Sequence, residues 1–390
     1  MATTRASSRT CVCARSASAR STSRRPMTPE PPGSTGAAGA ADLPEPPEPR
    51  LRRRPRSARP ADSGEDNRAG GLLLVHAHPD DESFSTGGLI ARSIAEGRRV
   101  DLVTCTGGEE GEIHDPSLDA EEARPRLREI RREELECSVR VLGDGKLHLH
   151  LLGYRDSGMM GTPSNERADV FWRADLDDAT GKLVKIVRKT RPAVMVSYDS
   201  NGNYGHPDHI NAYRIATAAW DAAADPKRYP DLGRPHAVAK LYETAFNREA
   251  FLGLMLEMNR RGLELPWDFG ETLKKAEDAA AAYGFTDLNP SNVEALKHVA
   301  EALAEGEEPG SAWGTPDAEI GARVDVSAFR ERKHRSMDCH RTQRQDFGWL
   351  LGMPEDLLES ALATEYFVLS RWRNQETPSG HREDSLFAEL

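Results

Sequence analysis

The chain has few cysteines and no long hydrophobic run. No apolar stretch in its 390 residues approaches the roughly 18 residues needed to cross a membrane, so no membrane span is expected. The five cysteines are Cys11, Cys13, Cys105, Cys137 and Cys339. They do not form the even set of a disulfide-stapled domain, which favours a reducing, cytoplasmic location. Cys11 and Cys13 are interpreted as incidental, with metal binding as the alternative.

Three common catalytic motifs are also absent. The sequence contains no phosphate-binding P-loop, no GxSxG nucleophile elbow and no GxGxxG dinucleotide fingerprint, which excludes the chemistries that depend on them. Nucleic acid is not expected as the main partner, because the part of the chain after residue 70 is acidic. Residues 1–70 carry 13 arginines and 7 acids, whereas the remaining 320 residues carry 39 basic and 56 acidic side chains.

Residues 1–70 are rich in Ser, Arg, Pro and Ala, with no acid before Glu30. This composition buries too little apolar surface to offset the entropy lost on ordering, so it predicts a disordered tail. Two alternatives stay open. The Arg- and Ser-rich start is also typical of an organelle transit peptide, and translation could begin at a later codon.

Strands and helices are predicted to alternate between residues 71 and 245. Short apolar runs predict strands at residues 72–77, 100–106, 147–152, 193–198 and 238–245, with amphipathic helices between them. This alternation predicts an α/β fold with a parallel sheet covered by helices on both faces. Residues 246–325 are predicted to form a helical insertion. Residues 326–390 are predicted to complete the core with a helix near 327–344, a strand at 365–369 and a frayed end.

Two short motifs pair histidine with acid. His76-Ala77-His78-Pro79-Asp80-Asp81-Glu82 lies at the tip of the first predicted strand, and Tyr204-Gly205-His206-Pro207-Asp208-His209 follows the fourth across a short loop. Because parallel sheets bind ligands at the carboxyl ends of their strands, the two motifs are expected to meet. Together they contain the histidines and the carboxylate that a catalytic zinc ion takes, with one coordination position left for water.

His78, Asp81 and His209 are predicted to bind this zinc ion, because residues three apart at a strand end can point to one place. Fe²⁺ can occupy the same ligand set. The alternative is that these histidines make ordinary backbone hydrogen bonds in loops. Asp80 is predicted to be the general base toward a water whose pKa the metal lowers to about 7.

The remaining groups of the two motifs suit a hydrolytic mechanism. Tyr204 and His206 are the candidate donors to a tetrahedral oxyanion. Asp208 is predicted to orient His206 and keep it protonated, with a helix N-cap role as the alternative. His76 and a downstream histidine, His340, are interpreted as packing residues.

Ala77-His78-Pro79-Asp80-Asp81-Glu82 together with His206-Pro207-Asp208-His209 resembles the zinc-dependent N-deacetylases of the PIG-L, or LmbE-like, superfamily. The resemblance covers roughly residues 70–245 and 327–371. It implies a Rossmann-like fold without a dinucleotide, and cleavage of an acyl amide on the 2-amino group of a glucosamine unit. It also implies the same zinc ligands, base and oxyanion donors as the motifs themselves suggest.

Within that superfamily the chain resembles the mycothiol enzymes most. The resemblance implies a small N-acylated amino-sugar substrate bound by Arg131 and Asp156, although a solvated helix face and a simple turn are the alternatives for these two residues. Ser85 favours N-acetylglucosaminyl-inositol deacetylase, whereas Gly107-Gly108-Glu109 favours mycothiol S-conjugate amidase. A non-catalytic carbohydrate-binding homologue is a third hypothesis, and the sequence predicts no oligomeric state.

Overall fold

Seven strands form one sheet, in which only the last strand in sequence runs opposite to the others, in the computed structural model, which describes residues 70–265, 269–282, 284–285, 293–304, 314–373, 375–376 and 380–390. The strands are β1 (Gly71–His76), β2 (Val100–Thr106), β3 (Leu147–Tyr154), β4 (Pro192–Ser197), β5 (Lys240–Ala245), β6 (Ala322–Asp325) and β7 (Thr364–Trp372). Their order is β3-β2-β1-β4-β5-β7-β6, with β7 antiparallel to both β5 and β6. The predicted Rossmann-like, mostly parallel sheet is confirmed.

The helices lie on both faces of this sheet. They are α1 (Asp81–Ala95), α2 (Ala120–Ala123), α3 (Leu127–Gly143), α4 (Leu176–Thr190), α5 (Gly202–Gly205), α6 (Pro207–Ala222), α7 (Arg248–Arg260), α8 (Phe269–Ala282), α9 (Val293–Ala304), α10 (Arg330–Cys339), α11 (Gly348–Leu351) and α12 (Glu355–Ala361). Short 3₁₀ turns occupy Arg124–Arg126, Pro163–Glu166, Phe171–Arg173, Asp317–Glu319 and Ser327–Phe329. In the described part of the chain, no helix is both long and apolar enough to span a bilayer.

The central strand β1 shows why both faces are covered. All six of its residues are buried, and successive side chains of a strand point to opposite faces. Leu73 and Val75 pack into a core with helices α4 and α6, whereas Leu72 and Leu74 pack into a second core with α1 and α3. A continuous apolar run without polar alternation is therefore the signature of a strand buried on both sides.

The region after β5 forms a third core away from the sheet. Helices α7, α8 and α9 pack with α11 and α12 around side chains such as Leu252, Met255 and Leu357. Strand β6 lies inside the range 246–325 that the sequence assigned to an insertion, and it pairs with β7 in the main sheet. The predicted disordered tail, residues 1–70, lies outside the described residues except for Gly70.

The helix predicted near 327–344 is shorter in the structure. Helix α10 ends at Cys339, because the backbone of His340 leaves the helical conformation with a ψ of 64°. The side chain of His340 is then fully buried, and its ring nitrogen bonds to Glu82. The helix therefore ends where His340 makes a buried contact with a residue distant in sequence. Local helix propensity does not predict such a contact.

Although the cysteines show no disulfide framework in the sequence, one pair in the described residues is bonded. Cys137 of α3 and Cys339 of α10 form a disulfide, with their Cα atoms 5.7 Å apart. Cys105 is free and buried. The bonded residues are separated by 202 positions, so their spacing carries no disulfide signal. The bond joins two helices that both pack on α1.

We predict that Cys137→Ser lowers the free energy of unfolding by about 2–4 kcal/mol, because the disulfide closes a long loop in the unfolded chain. Urea denaturation without reductant measures the difference. Dithiothreitol should lower wild-type stability toward that of the variant and leave the variant unchanged. Equal stability of both proteins under oxidising conditions would contradict the disulfide.

Candidate functional site

The two histidine motifs meet at the carboxyl ends of β1 and β4, which are neighbours in the sheet. The first motif joins β1 to the start of α1, and the second joins α5 to α6. Gly202 makes this approach possible. Its φ is +65°, and an added Cβ would lie 2.6 Å from the Cβ of His209. The strand order reverses between β1 and β4, which is where open α/β sheets bind their ligands.

Donor atoms of three side chains converge at this point. The Nδ1 atom of His78 lies 3.2 Å from Nε2 of His209, and each nitrogen faces a different oxygen of Asp81, with Oδ2 3.5 Å from His78 and Oδ1 3.5 Å from His209. A tetrahedral ion with bonds of about 2.0–2.1 Å has ligand atoms about 3.3–3.4 Å apart, so these spacings fit one divalent cation. The part of the chain that the structure describes can therefore hold a metal here.

Two overlapping groups lie around the same histidine. One group is His78, His206 and His209, and the other is His78, Asp156 and Asp208; within each group, the candidate ligand atoms lie within 4.8 Å of one another. All five side chains are buried. The site thus gathers more potential ligands than one tetrahedral ion takes, and their other hydrogen bonds distinguish them.

The protonation states of Asp81 and His209 suit metal binding, whereas His78 must lose a proton to bind a metal through Nδ1. Although burial opposes ionisation, His209 and His78 hold the pKa of Asp81 well below its usual value. Burial lowers the pKa of His209 to about 4, so its imidazole is neutral at pH 7. Burial also opposes the charge on His78, but Asp156, Asp208 and Asp81 raise its pKa well above the usual value. A cationic charge is therefore favoured among these carboxylates.

Asp80 has an unusual backbone and different partners from Asp81. Its φ is 126°, a value that side-chain-bearing residues rarely adopt and that is typical of strain held at functional sites. Its N–H donates to Oε2 of Glu82 at 3.0 Å, and its carboxylate accepts from Arg131 at 2.9 Å. Burial raises the pKa of Asp80 to about 7, against the opposing charge of Arg131.

Arg131 is not on a solvated face, so that alternative is wrong. It is 3% exposed, because this side of α3 packs against the loops that follow β1 and β2. Besides Asp80, its guanidinium donates to the carbonyl oxygens of Pro79 at 2.6 Å and Gly108 at 2.8 Å. Gly108 has a φ of +69°, and an added Cβ would lie 2.4 Å from the guanidinium. The glycine therefore makes room for the arginine.

The predicted role of Asp208 requires correction. Its carboxylate accepts from the backbone N–H and the hydroxyl of Ser157 and lies 3.3 Å from Nε2 of His78. The N-cap of α6 is His206, whose Nδ1 accepts the Asp208 N–H at 3.2 Å. Asp208 thus neither caps the helix nor protonates His206, because its carboxylate faces the loop after β3. Burial lowers the pKa of His206 to about 2.

Asp156 is part of the same buried cluster. It is 3% exposed, and its carboxylate lies 3.6 Å from Nε2 of His78 while accepting the N–H of Gly158 at 2.8 Å. The turn that the sequence left as an alternative is therefore present, and the carboxylate still faces the site. Asp156 and Asp208 together flank the nitrogen of His78 that points away from His209.

Tyr204 and Ser85 lie at the open side. Tyr204 is 59% exposed, and its hydroxyl lies 3.4 Å from Nε2 of His209. Ser85 is half-buried on the first turns of α1. It lines a cavity of about 960 Å³ beside the site, together with Phe84 and Asn203. The histidines and carboxylates of the cluster do not line this cavity, which extends toward the helices that follow β5.

Sequence reasoning missed Tyr198 and Ser157. The hydroxyl of Tyr198 donates to Asp81 at 2.7 Å and accepts the N–H of Ala77 at 2.8 Å, and its ring stacks on His209. Tyr198 ends the predicted fourth strand, so its position at a carboxyl strand end could have indicated a role. His76 is fully buried and contacts Thr86 and Tyr198, in agreement with the packing interpretation.

A model of the PIG-L family, described as GlcNAc-PI de-N-acetylase, matches residues 73–220. The chain is also 40% identical to a protein of Geodermatophilus obscurus over 325 residues, which are 82% of this chain and 97% of that protein. The chain belongs to the PIG-L family of de-N-acetylases. The resemblance and the hydrolase class expected from the two motifs are thereby confirmed.

Two of these relatives share one name. The Geodermatophilus protein and a Streptomyces scabiei protein are each named 1D-myo-inositol 2-acetamido-2-deoxy-alpha-D-glucopyranoside deacetylase. The second is 40% identical over 321 residues, 81% of this chain and 88% of that protein. Among solved structures, a conserved protein from Thermus thermophilus is 20% identical with a TM-score of 0.41, covering 79% of this chain and 98% of that one.

We predict that Tyr198→Phe lowers the free energy of unfolding by about 1–3 kcal/mol, because the buried N–H of Ala77 loses its acceptor. Urea denaturation in the presence of EDTA measures this cost without a contribution from bound metal. Tyr213→Phe is the matched control on the neighbouring helix α6, since the Tyr213 hydroxyl has no hydrogen-bond partner among the described residues. Equal stability losses in both variants would contradict the assigned contacts.

Proposed function

We propose that the chain is a metal-dependent deacetylase that hydrolyses the acetamide of N-acetylglucosaminyl-inositol. The observation that carries the proposal is the convergence of two imidazole nitrogens and a carboxylate within 3.2–3.5 Å, beside a second, separately held carboxylate. The names of the relatives, together with their coverage of the chain, supply the substrate.

We infer that His78, Asp81 and His209 are the metal ligands. Asp81 Oδ2 already accepts two hydrogen bonds, from the N–H of His78 and the hydroxyl of Tyr198, which leaves Oδ1 toward His209. Asp208 is less suitable, because both of its oxygens accept from Ser157. Two histidines and one carboxylate suit catalytic zinc, and Fe²⁺ accepts the same set.

The bound ion would supply Lewis-acid polarisation of the amide carbonyl and a lowered pKa for the attacking water. Asp80 is the proposed general base: with a pKa raised to about 7 by burial, it can take a proton from water and pass it to the leaving amine. Arg131 fixes the carboxylate that does this.

His206 is proposed as a neutral donor to the oxyanion. Because its Nδ1 accepts the Asp208 N–H, the proton of the neutral ring is on Nε2. A pKa lowered by burial keeps the ring in this form. Tyr204, whose hydroxyl lies 3.4 Å from Nε2 of His209, is the second proposed donor.

Ser85, Asp156 and Arg131 are proposed to surround the sugar. Ser85 offers a hydroxyl at the open side of the site, and Asp156 offers a carboxylate whose pKa is held low by His78 and by the N–H of Gly158, against the effect of burial. The guanidinium of Arg131 lies beside Asp80 and is already hydrogen-bonded to its carboxylate. Its contribution to the sugar is therefore proposed to be electrostatic.

One observation supports a second candidate, cleavage of the larger acyl group of a mycothiol S-conjugate. The cavity beside Ser85 has a volume of about 960 Å³ and is lined partly by the aromatic rings of Phe84 and Phe246. This space exceeds what an acetyl group requires. A non-catalytic role is less favoured, because the side chains proposed as ligands and base are all present and lie close together.

We predict that the metal-loaded protein releases a primary amine from N-acetylglucosaminyl-inositol. Mass spectrometry compares this substrate with a mycothiol S-conjugate, free N-acetylglucosamine and a lipid-linked form. Asp80→Asn is expected to lower the rate by about 100-fold or more, because it removes the base while keeping side-chain size. Asparagine is also better tolerated than alanine at a positive φ. Preference for the S-conjugate would move the proposal to the amidase, and full activity of Asp80→Asn would exclude the assigned base.

We also predict that Asp81→Ala and His209→Ala weaken metal binding by about 100-fold or more, since losing even an outer partner of a ligand typically costs about 10–100-fold. Equilibrium dialysis against Zn²⁺, with metal analysis of the protein, measures the affinity. His148→Ala, an exposed histidine on β3, is the control and should bind like wild type. Unchanged affinity in either ligand variant would contradict the proposed ligand set.

A further inference from the structure

The backbone of Asp80 must be held in place by its surroundings. With φ at 126° and ψ at −32°, it lies outside the regions that residues with a side chain readily occupy. It is the N-cap residue of helix α1, yet its side chain makes no capping bond there. Such a conformation persists only where neighbouring groups overdetermine it. Two side chains bond to Asp80: Arg131 at its carboxylate and Glu82 at its N–H.

Glu82 is a buried carboxylate with several donors. One oxygen, Oε2, accepts the Asp80 N–H at 3.0 Å. The other, Oε1, accepts from the hydroxyls of Ser83 and Ser138 and lies 2.8 Å from Nε2 of His340. Glu82 is 0% exposed, and a carboxylate without water needs such partners to remain ionised. Its orientation toward Asp80 is therefore set by the groups on Oε1.

His340 is the partner of Glu82 that comes from furthest along the chain. It follows the end of α10, 258 positions after Glu82, and is 0% exposed. Within the described ranges, its ring has Glu82 as its one hydrogen-bond partner, and its Nδ1 has none. Substitution of His340 therefore removes a single side-chain hydrogen bond, and the hydrogen-bonded path from His340 to Asp80 runs through Glu82. The charge of the ring also lowers the pKa of Asp80, against the larger effect of burial.

We propose that His340 is a positioning residue for the reaction. Its hydrogen bond fixes the side chain of Glu82, and Glu82 in turn holds the backbone of Asp80 in the conformation that orients the carboxylate of the base. The inference rests on the proposed function, in which Asp80 is that base. Misplacing a reacting group by about 1 Å can cost about 100-fold in rate, so a contact two steps removed can control turnover. Because the metal donors and the proposed sugar groups are separate from this contact, KM and metal content should change little.

Two variants of the full-length, metal-loaded enzyme test the proposal. His340→Leu removes the donor at similar volume and should lower kcat by about 10–100-fold, with KM within about 3-fold of wild type. His340→Gln keeps an N–H that can reach Glu82, so it should recover most of the lost kcat. Equal losses of kcat in His340→Leu and His340→Gln would overturn the role of the N–H that donates to Glu82.

Thr342→Val is the matched control for simple packing. Thr342 is equally buried in the same segment, and its hydroxyl donates to Glu134 of α3 instead of to Glu82. It should lower the melting temperature about as much as His340→Leu does while keeping kcat within about 2-fold, because a loss of stability away from the base need not reach the chemical step. Equal losses of kcat in both variants would overturn the positioning role in favour of packing.

Hydrogen exchange supplies a readout that does not require turnover. In His340→Leu the amides of residues 80–83 should exchange at least about 10-fold faster than in wild type, since the Asp80 N–H loses its fixed acceptor. The same amides should be unchanged in Thr342→Val. Wild-type exchange in His340→Leu would show that His340 does not hold this loop and would overturn the inference.

The Asp80→Asn background separates this inference from the proposed function. If His340 acts through the base, His340→Leu should cause no further loss in an Asp80→Asn enzyme. An inactive Asp80→Asn enzyme beside a fully active His340→Leu enzyme would end the positioning proposal alone. A fully active Asp80→Asn enzyme would end the proposed base and, with it, the role assigned to His340.

Discussion

The site depends on the burial of three carboxylates around one imidazole. Asp81, Asp156 and Asp208 all lie within 3.6 Å of a nitrogen of His78, and none of them is fully solvated. Burying like charges together is costly unless they are paired or bind a cation. One imidazolium balances only part of this charge. A divalent cation bound at Nδ1 of His78 would displace one proton of this imidazolium and supply more balancing charge in its place. The approach of His209 to 3.2 Å places a neutral ligand where that cation would bind.

Adjacent acids in the first motif have different environments because of this arrangement. Asp81 faces His78 and His209, which hold its pKa low, whereas burial raises the pKa of Asp80 to about 7 beside Arg131. The backbone conformation at Asp80 makes the separation possible, because consecutive side chains leave the strand end in different directions. One residue can thus bind a metal while its neighbour is available to accept a proton.

Local patterns predicted the sheet and the meeting of the two motifs, because both depend on short-range signals. Apolar runs identify buried strands, and carboxyl strand ends of a parallel sheet share one edge. The burial of Arg131 was not predictable in this way, since a charged helix shows which face is inward only once α3 is packed. The partner of Asp208 and the bond between Cys137 and Cys339 likewise depend on contacts between segments distant in sequence.

The segment that follows α10 determines how firmly the first motif is held. Residues 340–343 return to α1 and α3, where His340 bonds to Glu82 and Thr342 bonds to Glu134. The disulfide at Cys339 ties the start of this segment to α3, the helix that also carries Arg131. The segment that carries His340 and the helix that carries Arg131 therefore form one covalently joined unit, although they come from distant parts of the described chain. Variation in the helices between β5 and β6 can alter the neighbouring cavity without moving this unit, because the sheet and the disulfide fix its position independently.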